Sequence, residues 1–159
     1  MRGYELVRLL QKDWLVRRIF RGVFSSDTLP RLAKGTTHAL IINLDEADGP
    51  GTHWVAVFIN PFGILTYFDS FGIPPLIPNI ERFIKLNSRK VFFNTVPLQS
   101  LLSQTCGLWT IYFIERLSRG DSLHRLISCF NTDSTLKNDK RIKAMFKHRL
   151  RRNKVHFFG

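Results

Sequence analysis

Cys106 lies in the stretch LQSLLSQTCGLW, residues 98–109, between small polar residues and a glycine at the mouth of an apolar run. A cysteine in such a place is either a packing residue or a thiolate held where a substrate can reach it. Packing cysteines sit most often inside the apolar stripe of an element. Cys106 is instead preceded by Ser103, Gln104 and Thr105 and followed by Gly107, which allows close backbone approach. The run CGLWTIYFIERLSRG reads as a mostly buried helix on Leu108, Ile111, Tyr112 and Leu117, stopped by Gly120. Cys106 therefore falls at or just before the first turn. Free backbone N–H groups and the positive end of the helix dipole favour a thiolate there, and a nearby imidazolium favours it further.

The imidazole and the carboxylate come from a hairpin. HWVAVFIN and ILTYFDSF read as two strands, apolar on both faces as in the middle of a covered sheet, joined by Pro61-Phe62-Gly63. A three-residue connection sets Asn60 across from Ile64, and so His53 across from Phe71, with Asp69 one diagonal step away on the same face. Diagonal neighbours are about 7–8 Å apart at the backbone, close enough for the two side chains to meet. A loop one residue shorter or longer would put Asp69 on the other face, so the pairing rests on the turn. Taken singly, His53 reads as a structural histidine and Asp69 as a strand-end turn residue; together they are harder to dismiss as such.

Other elements must present the hairpin and the helix to one another. Leu6, Leu9, Leu10, Trp14 and Leu15 recur at helical spacing and predict an amphipathic helix from Tyr4 to about Arg18. FRGVFSSDTLPRLAKGT reads as a loop broken by Gly22, Pro30 and Gly35, and Ala39 to Leu44 as a strand followed by the turn-forming DEADGPGT. Ile80 to Leu86 predicts a helix, and KVFFNTV a strand ending in the loop PLQSLLSQT. With 159 residues, 44% of them hydrophobic, the chain has room for one core and hardly for two, so residues 1–159 are expected to form one domain. The expected fold class is α+β: a mixed central sheet with a buried helix carrying Cys106 at its N-terminus.

The segments GTHW (51–54), YFDSFG (67–72) and CGLW (106–109), with Gln99 seven residues before Cys106, resemble the adenain-like cysteine proteases. These are the adenovirus processing proteases, with relatives in virus-like DNA transposons of the Maverick or Polinton type. FRGVFSSDTLP and HALIINLDEADGPGTHW are also similar, more loosely, to the region upstream of the family histidine. The resemblance implies that Cys106 is the nucleophile, His53 its general base and acid, Asp69 the group orienting His53, and Gln99 an oxyanion donor. Each role is chemically sound for attack of a thiolate on an amide carbonyl. Gln104 competes with Gln99, but stands only two residues from Cys106. Trp54 and Gly51, flanking His53, are candidates to wall the substrate cleft. What is implied is an endopeptidase that matures viral or transposon capsid and structural precursors, in the virion or in the host nucleus or cytoplasm. The chemistry requires no cofactor and no metal. Family members are activated by DNA and by a viral peptide that can disulfide-bond to a second cysteine; Cys129, in LISCFN, reads as core, which argues against the covalent form.

Charge points the same way. Lys and Arg number 24 against 12 Asp and Glu, a formal +12 that favours a polyanionic partner. The excess gathers at about residues 137–155, where Lys137, Lys140, Arg141, Lys143, Lys147, Arg149, Arg151, Arg152 and Lys154 accompany only Asp139. These are the candidates for DNA contact without sequence preference; otherwise the run is a solvated helix end. Two cysteines make a poor disulfide framework and no zinc site at a familiar spacing, which predicts a reducing compartment. The charged N-terminal stretch lacks the apolar core of a secretory signal, and no segment is apolar for the length of a membrane span, so a secreted or membrane protein is not expected. A SUMO or ubiquitin-like deconjugating protease, related in fold and residue order, is the alternative enzyme. A non-catalytic DNA-binding or capsid-associated protein is the alternative of another class.

Overall fold

The structure, a computed structural model, describes residues 1–153; Lys154, last of the basic run, lies outside them. Five strands form one mixed sheet in the order β1 (Phe20–Ser25), β2 (His38–Asn43), β3 (Trp54–Ile59), β4 (Ile64–Phe68), β5 (Lys90–Phe93). The two inner pairings are antiparallel and the two outer ones parallel. The described residues form six helices in chain order, α1 (Gly3–Leu10), α2 (Val16–Ile19), α3 (Pro78–Asn87), α4 (Cys106–Ser118), α5 (Leu123–Ser128) and α6 (Thr135–Arg152). Among the described residues no helix is long and apolar enough to cross a membrane.

Side chains alternate across a strand, and here both faces of the sheet are buried. Ala39, Ile41, Ala56 and Phe68 join the cluster made with α1, α4 and α6, while Leu40, Ile42, Val55, Val57, Leu65 and Tyr67 join α3 through Ile80, Phe83 and Ile84. The small Ala56 lets α4 lie close on the sheet, and α4 is buried without interruption from Cys106 to Ile114. The α+β architecture expected from the sequence, with Cys106 opening a buried helix against a mixed sheet, is the one observed.

The hairpin turn that carries the parity argument is present. Asn60 N–H donates to the Ile64 carbonyl at 3.0 Å, and Gly63 takes a φ of +77°. Ile59 then pairs with Leu65 and Val57 with Tyr67.

Three expectations change. The helix from Tyr4 to about Arg18 is broken in two. Asp13 Oδ1 accepts from the N–H groups of Leu15 (3.0 Å) and Val16 (3.3 Å), starting a new turn in competition with the old helix. Arg119, at the end of α4, pairs with the other Asp13 oxygen, and Trp14 is 63% exposed instead of joining the apolar stripe. The loop expected from Phe20 to Thr36 begins with β1. As an edge strand β1 has no buried residue, so it lacks the alternation that marks strands, and Gly22, which suggests a break, sits at a register shift in its pairing with β2. The strand expected over KVFFNTV stops at Phe93, because Asn94 turns its side chain onto Asp69.

Candidate active site

β3 begins at Trp54 and β4 ends at Phe68, so His53 and Asp69 stand one residue beyond the ladder at the same end of the hairpin. Their side chains meet: His53 Nε2 lies 2.8 Å from Asp69 Oδ1, with both residues buried. The Phe71 ring stacks on the imidazole with centroids 4.6 Å apart, and Phe71 N–H donates to the same Oδ1 at 2.8 Å. Asn94 fixes the acid from behind. Its Oδ1 accepts from Asp69 N–H (3.0 Å) and its Nδ2 donates to Asp69 O (2.6 Å).

Burial alone would lower the imidazole pKa. Hydrogen bonds to the Asp69 carboxylate and the Cys106 sulfur, with the charges of both, outweigh burial and raise it from 6.5 to about 9. Since Nε2 is engaged by Asp69, Nδ1 is the nitrogen left to serve Cys106. The charged form of the ring is thereby favoured at the start of the helix that Cys106 opens.

Cys106, 9% exposed, opens α4 directly after Thr105. The helix geometry leaves its first N–H groups without intrahelical acceptors. Gly107 admits a close approach, as read from the sequence, but side chains make it: a β-carbon there would lie 3.1 Å from Leu6 Cδ2 and 3.2 Å from Met1 Sδ. Gln99 is buried. Its Oε1 accepts from Ser70 Oγ at 2.7 Å, and its Nε2 donates to Ser103 O at 2.6 Å. The Leu98 and Gln99 N–H groups both donate to Ser70 O, at 2.9 and 3.0 Å. Gln104 is exposed, as are Leu101 and Leu102 at the tip of the same loop.

Each residue of FDSFG has a separate task. Phe68 packs in the core, Asp69 holds His53, Ser70 holds Gln99, and Phe71 covers the imidazole. Gly72, at φ +72°, lets the backbone of Thr95 to Pro97 cross where a β-carbon would lie 2.8 Å from Val96 C. Trp54 is half-buried and donates from Nε1 to Met1 O at 3.1 Å, so it joins the N-terminal segment to the hairpin. Gly51, at φ +79°, belongs to the loop gathered by Asp45, whose Oδ2 accepts from the N–H groups of Thr52 (2.8 Å) and Gly51 (2.9 Å). The backbone N–H of Thr52 is the largest of the bonds that hold the Asp45 carboxyl below its ordinary range.

The sequence assigns no role in the site to Ser70, Phe71, Asn94 and Ser103, nor to the pair Asn138 and Asp139. The first two lay within a recognised motif; for the others only the folded chain supplies the contact. Among the described residues no group of His, Cys, Asp or Glu side chains could hold a metal ion.

The basic run is less uniform than its sequence. Arg149 forms a two-pronged ion pair with Glu115 of α4 (2.7 and 2.9 Å) and donates to Leu9 O, so it ties α6 to the core instead of facing a partner. Arg141 donates to Cys129 O at 2.5 Å and lies over the Phe130 ring. Asp139 is buried, and among the described residues it forms no ion pair with these cations. Lys140, Lys143, Lys147 and Arg151, at three- and four-residue spacing, share one side of α6.

No family model matches the chain. A cysteine protease of African swine fever virus is 28% identical over 111 residues, 63% of this chain and 41% of the relative. A protein of Acanthamoeba polyphaga mimivirus, named a thiol protease, is 33% identical over 100 residues, 57% of this chain and 33% of the relative. The chain thus spans well under half the length of either. The solved structure of ChlaDub1 from Chlamydia trachomatis shares the fold, with a TM-score of 0.55 at 12% identity, over 75% of this chain and 61% of that one. The chain is therefore similar in sequence to viral cysteine proteases over about 60% of its length.

Proposed function

We propose that the protein is a cysteine endopeptidase that matures viral or transposon capsid and structural precursors, with Cys106, His53, Asp69 and Gln99 as its machinery. One observation carries the reading above the others: a buried imidazole, bonded to a carboxylate at 2.8 Å and raised to about 9, next to a cysteine that opens a buried helix. The relatives' names support the protease class and the viral setting.

In this mechanism the Cys106 thiolate attacks the carbonyl carbon of the scissile amide. The oxyanion that forms receives the Cys106 N–H and the Gln99 N–H that is not committed to Ser103 O. His53 passes its Nδ1 proton to the leaving amine, then takes a proton from the water that hydrolyses the thioester. Asp69 keeps the imidazole on the correct tautomer throughout and stabilises its charged form. DNA and a viral peptide as activators belong to this proposal, as does DNA contact through α6.

Incubation with the structural proteins encoded beside the gene, followed by mass-spectrometric mapping of new termini, tests the reading against a Cys106→Ala control. Cuts by the unaltered protein alone are expected. A second reading, SUMO deconjugation, is favoured by the name "SUMO-1 cysteine protease" that some African swine fever virus isolates' versions carry. Release of a fluorophore from the C-terminus of SUMO-1, with every structural precursor left intact, would replace the first reading by the second.

A further inference from the structure

The loop from Gln99 to Thr105 bears the oxyanion donor at one end and meets the nucleophile at the other, and it is tethered to a distant helix. Asp139, on the second turn of α6 and 5% exposed, accepts from Ser100 N–H through Oδ2 at 3.0 Å. Through Oδ1 it accepts from Thr105 Oγ1 at 2.5 Å and, more distantly, from Trp109 Nε1 at 3.5 Å. The neighbouring Asn138 donates to Leu98 O at 3.2 Å and to Asn131 O at 2.6 Å, and accepts from Asn131 N–H at 2.9 Å. The backbone on both sides of Gln99 is thereby held by consecutive residues of α6, while Ser70 holds it from the sheet. The only proton of the Thr105 hydroxyl goes to Asp139, so Ser103 Oγ donates to Thr105 Oγ1 across 2.9 Å. Ser103 is also the residue whose carbonyl receives Gln99 Nε2.

From this arrangement we infer that Asp139 is a positioning residue for the oxyanion site: one buried carboxylate sets the distance between the Gln99 amide and the Cys106 N–H. The inference rests on the protease reading above. Burying a carboxylate is costly unless its oxygens are bonded, and three donors meet this one, so the loop has a strongly preferred place. Transition-state donors must sit within fractions of an ångström of the developing charge. A displacement of about 1 Å costs on the order of 10²-fold in rate. Asp139 touches no reacting atom; it acts through the loop.

Two reagents separate positioning from simple support. Iodoacetamide alkylates Cys106 by displacement of iodide and forms no oxyanion. p-Nitrophenyl acetate acylates the same sulfur through a tetrahedral oxyanion, forming the S–acyl bond and releasing nitrophenolate. In Asp139→Ala, acylation is expected to fall on the order of 10- to 10²-fold while alkylation changes less than about threefold. Adding Asp139→Ala to Gln99→Ala should slow acylation little further, since the two substitutions disable one device. Asp139→Asn can still accept from Ser100 N–H and can donate to Thr105 Oγ1, so it should recover most of the rate. It also serves where Asp139→Ala fails to fold, as does Thr105→Val, which severs only the nucleophile end and should shift the same ratio.

Acylation and alkylation falling in parallel in these variants, or fully additive losses with Gln99→Ala, would overturn the inference and leave Asp139 a stabilising residue. The unaltered protein separates this failure from that of the reading beneath it. If its Cys106 reacts with neither reagent in preference to Cys129, the protease reading itself is wrong, and the inference falls with it.

Discussion

The charge state of His53 provides the sharpest test, through Asp69→Asn. A rise of the imidazole pKa from 6.5 to about 9 corresponds to about 3 kcal/mol of preference for the imidazolium in the folded protein. The folded value lies above the unfolded one. That stabilisation is therefore complete below about pH 6.5 and is lost as the pH rises through about 9. In Asp69→Asn the carboxamide oxygen can still accept from His53 and from Phe71 N–H, which keeps the ring in place. The amide nitrogen takes the site of Oδ2, which has no partner among the described residues, so a pH-independent cost is expected as well. The diagnostic quantity is consequently the pH dependence and not the stability at one pH. Removing the opposite charge should lower the His53 pKa by about 1–3 pH units, with the Cys106 contact and the burial left as they were. Urea unfolding between pH 6 and pH 10, together with an NMR titration of the His53 Cε1–H resonance, measures both. The unaltered protein should lose about 3 kcal/mol across that range from this group, and the variant at most about two thirds as much. A His53 that titrates at or below 6.5 in the unaltered protein, or equal pH dependence in the two proteins, refutes the reasoning.

Further outcomes follow from the same geometry. Cys106→Ala should lose about four or more orders of magnitude of turnover while folding normally, and iodoacetamide should modify the buried Cys106 before the more exposed Cys129; equal labelling counts against a thiolate. Gln99→Ala should lower kcat by roughly 10²- to 10³-fold with little change in KM, whereas the exposed Gln104 should tolerate alanine; the opposite ranking in steady-state kinetics reverses the assignment. In a fluorescence-anisotropy salt titration on duplex DNA, replacing Lys140, Lys147 and Arg151 by alanine should flatten the log–log slope by about 0.9 for each phosphate that is no longer neutralised. Arg149→Ala should leave that slope alone and instead cost about 1.5 kcal/mol of stability, because its guanidinium is committed to Glu115.

Local chemistry and strand parity were legible in the residues alone. Pro61-Phe62-Gly63 reads as a three-residue connection, hairpin length decides which residues share a face, and on that turn His53 and Asp69 fall on one face. The apolar run behind Cys106 likewise announced a buried helix, because burial of α4 on all sides leaves its mark in composition. β1 was hidden for the converse reason, since a half-buried edge strand carries little periodic signal, and the break at Asp13 was hidden because a side chain there outcompetes a helix that propensity alone would continue. The tertiary structure decided everything that depends on partners far along the chain. Asn94 reaches back 25 residues to Asp69, Arg149 reaches 34 to Glu115, and Asp139 reaches 39 to Ser100. In the sequence Asp139 is a lone acid in a basic run, and Arg149 is one more of its charges. Folding buries the first under the loop between Gln99 and Cys106 and locks the second against α4, because a buried polar group must find its bonding partner wherever the packing of helices on the sheet provides one.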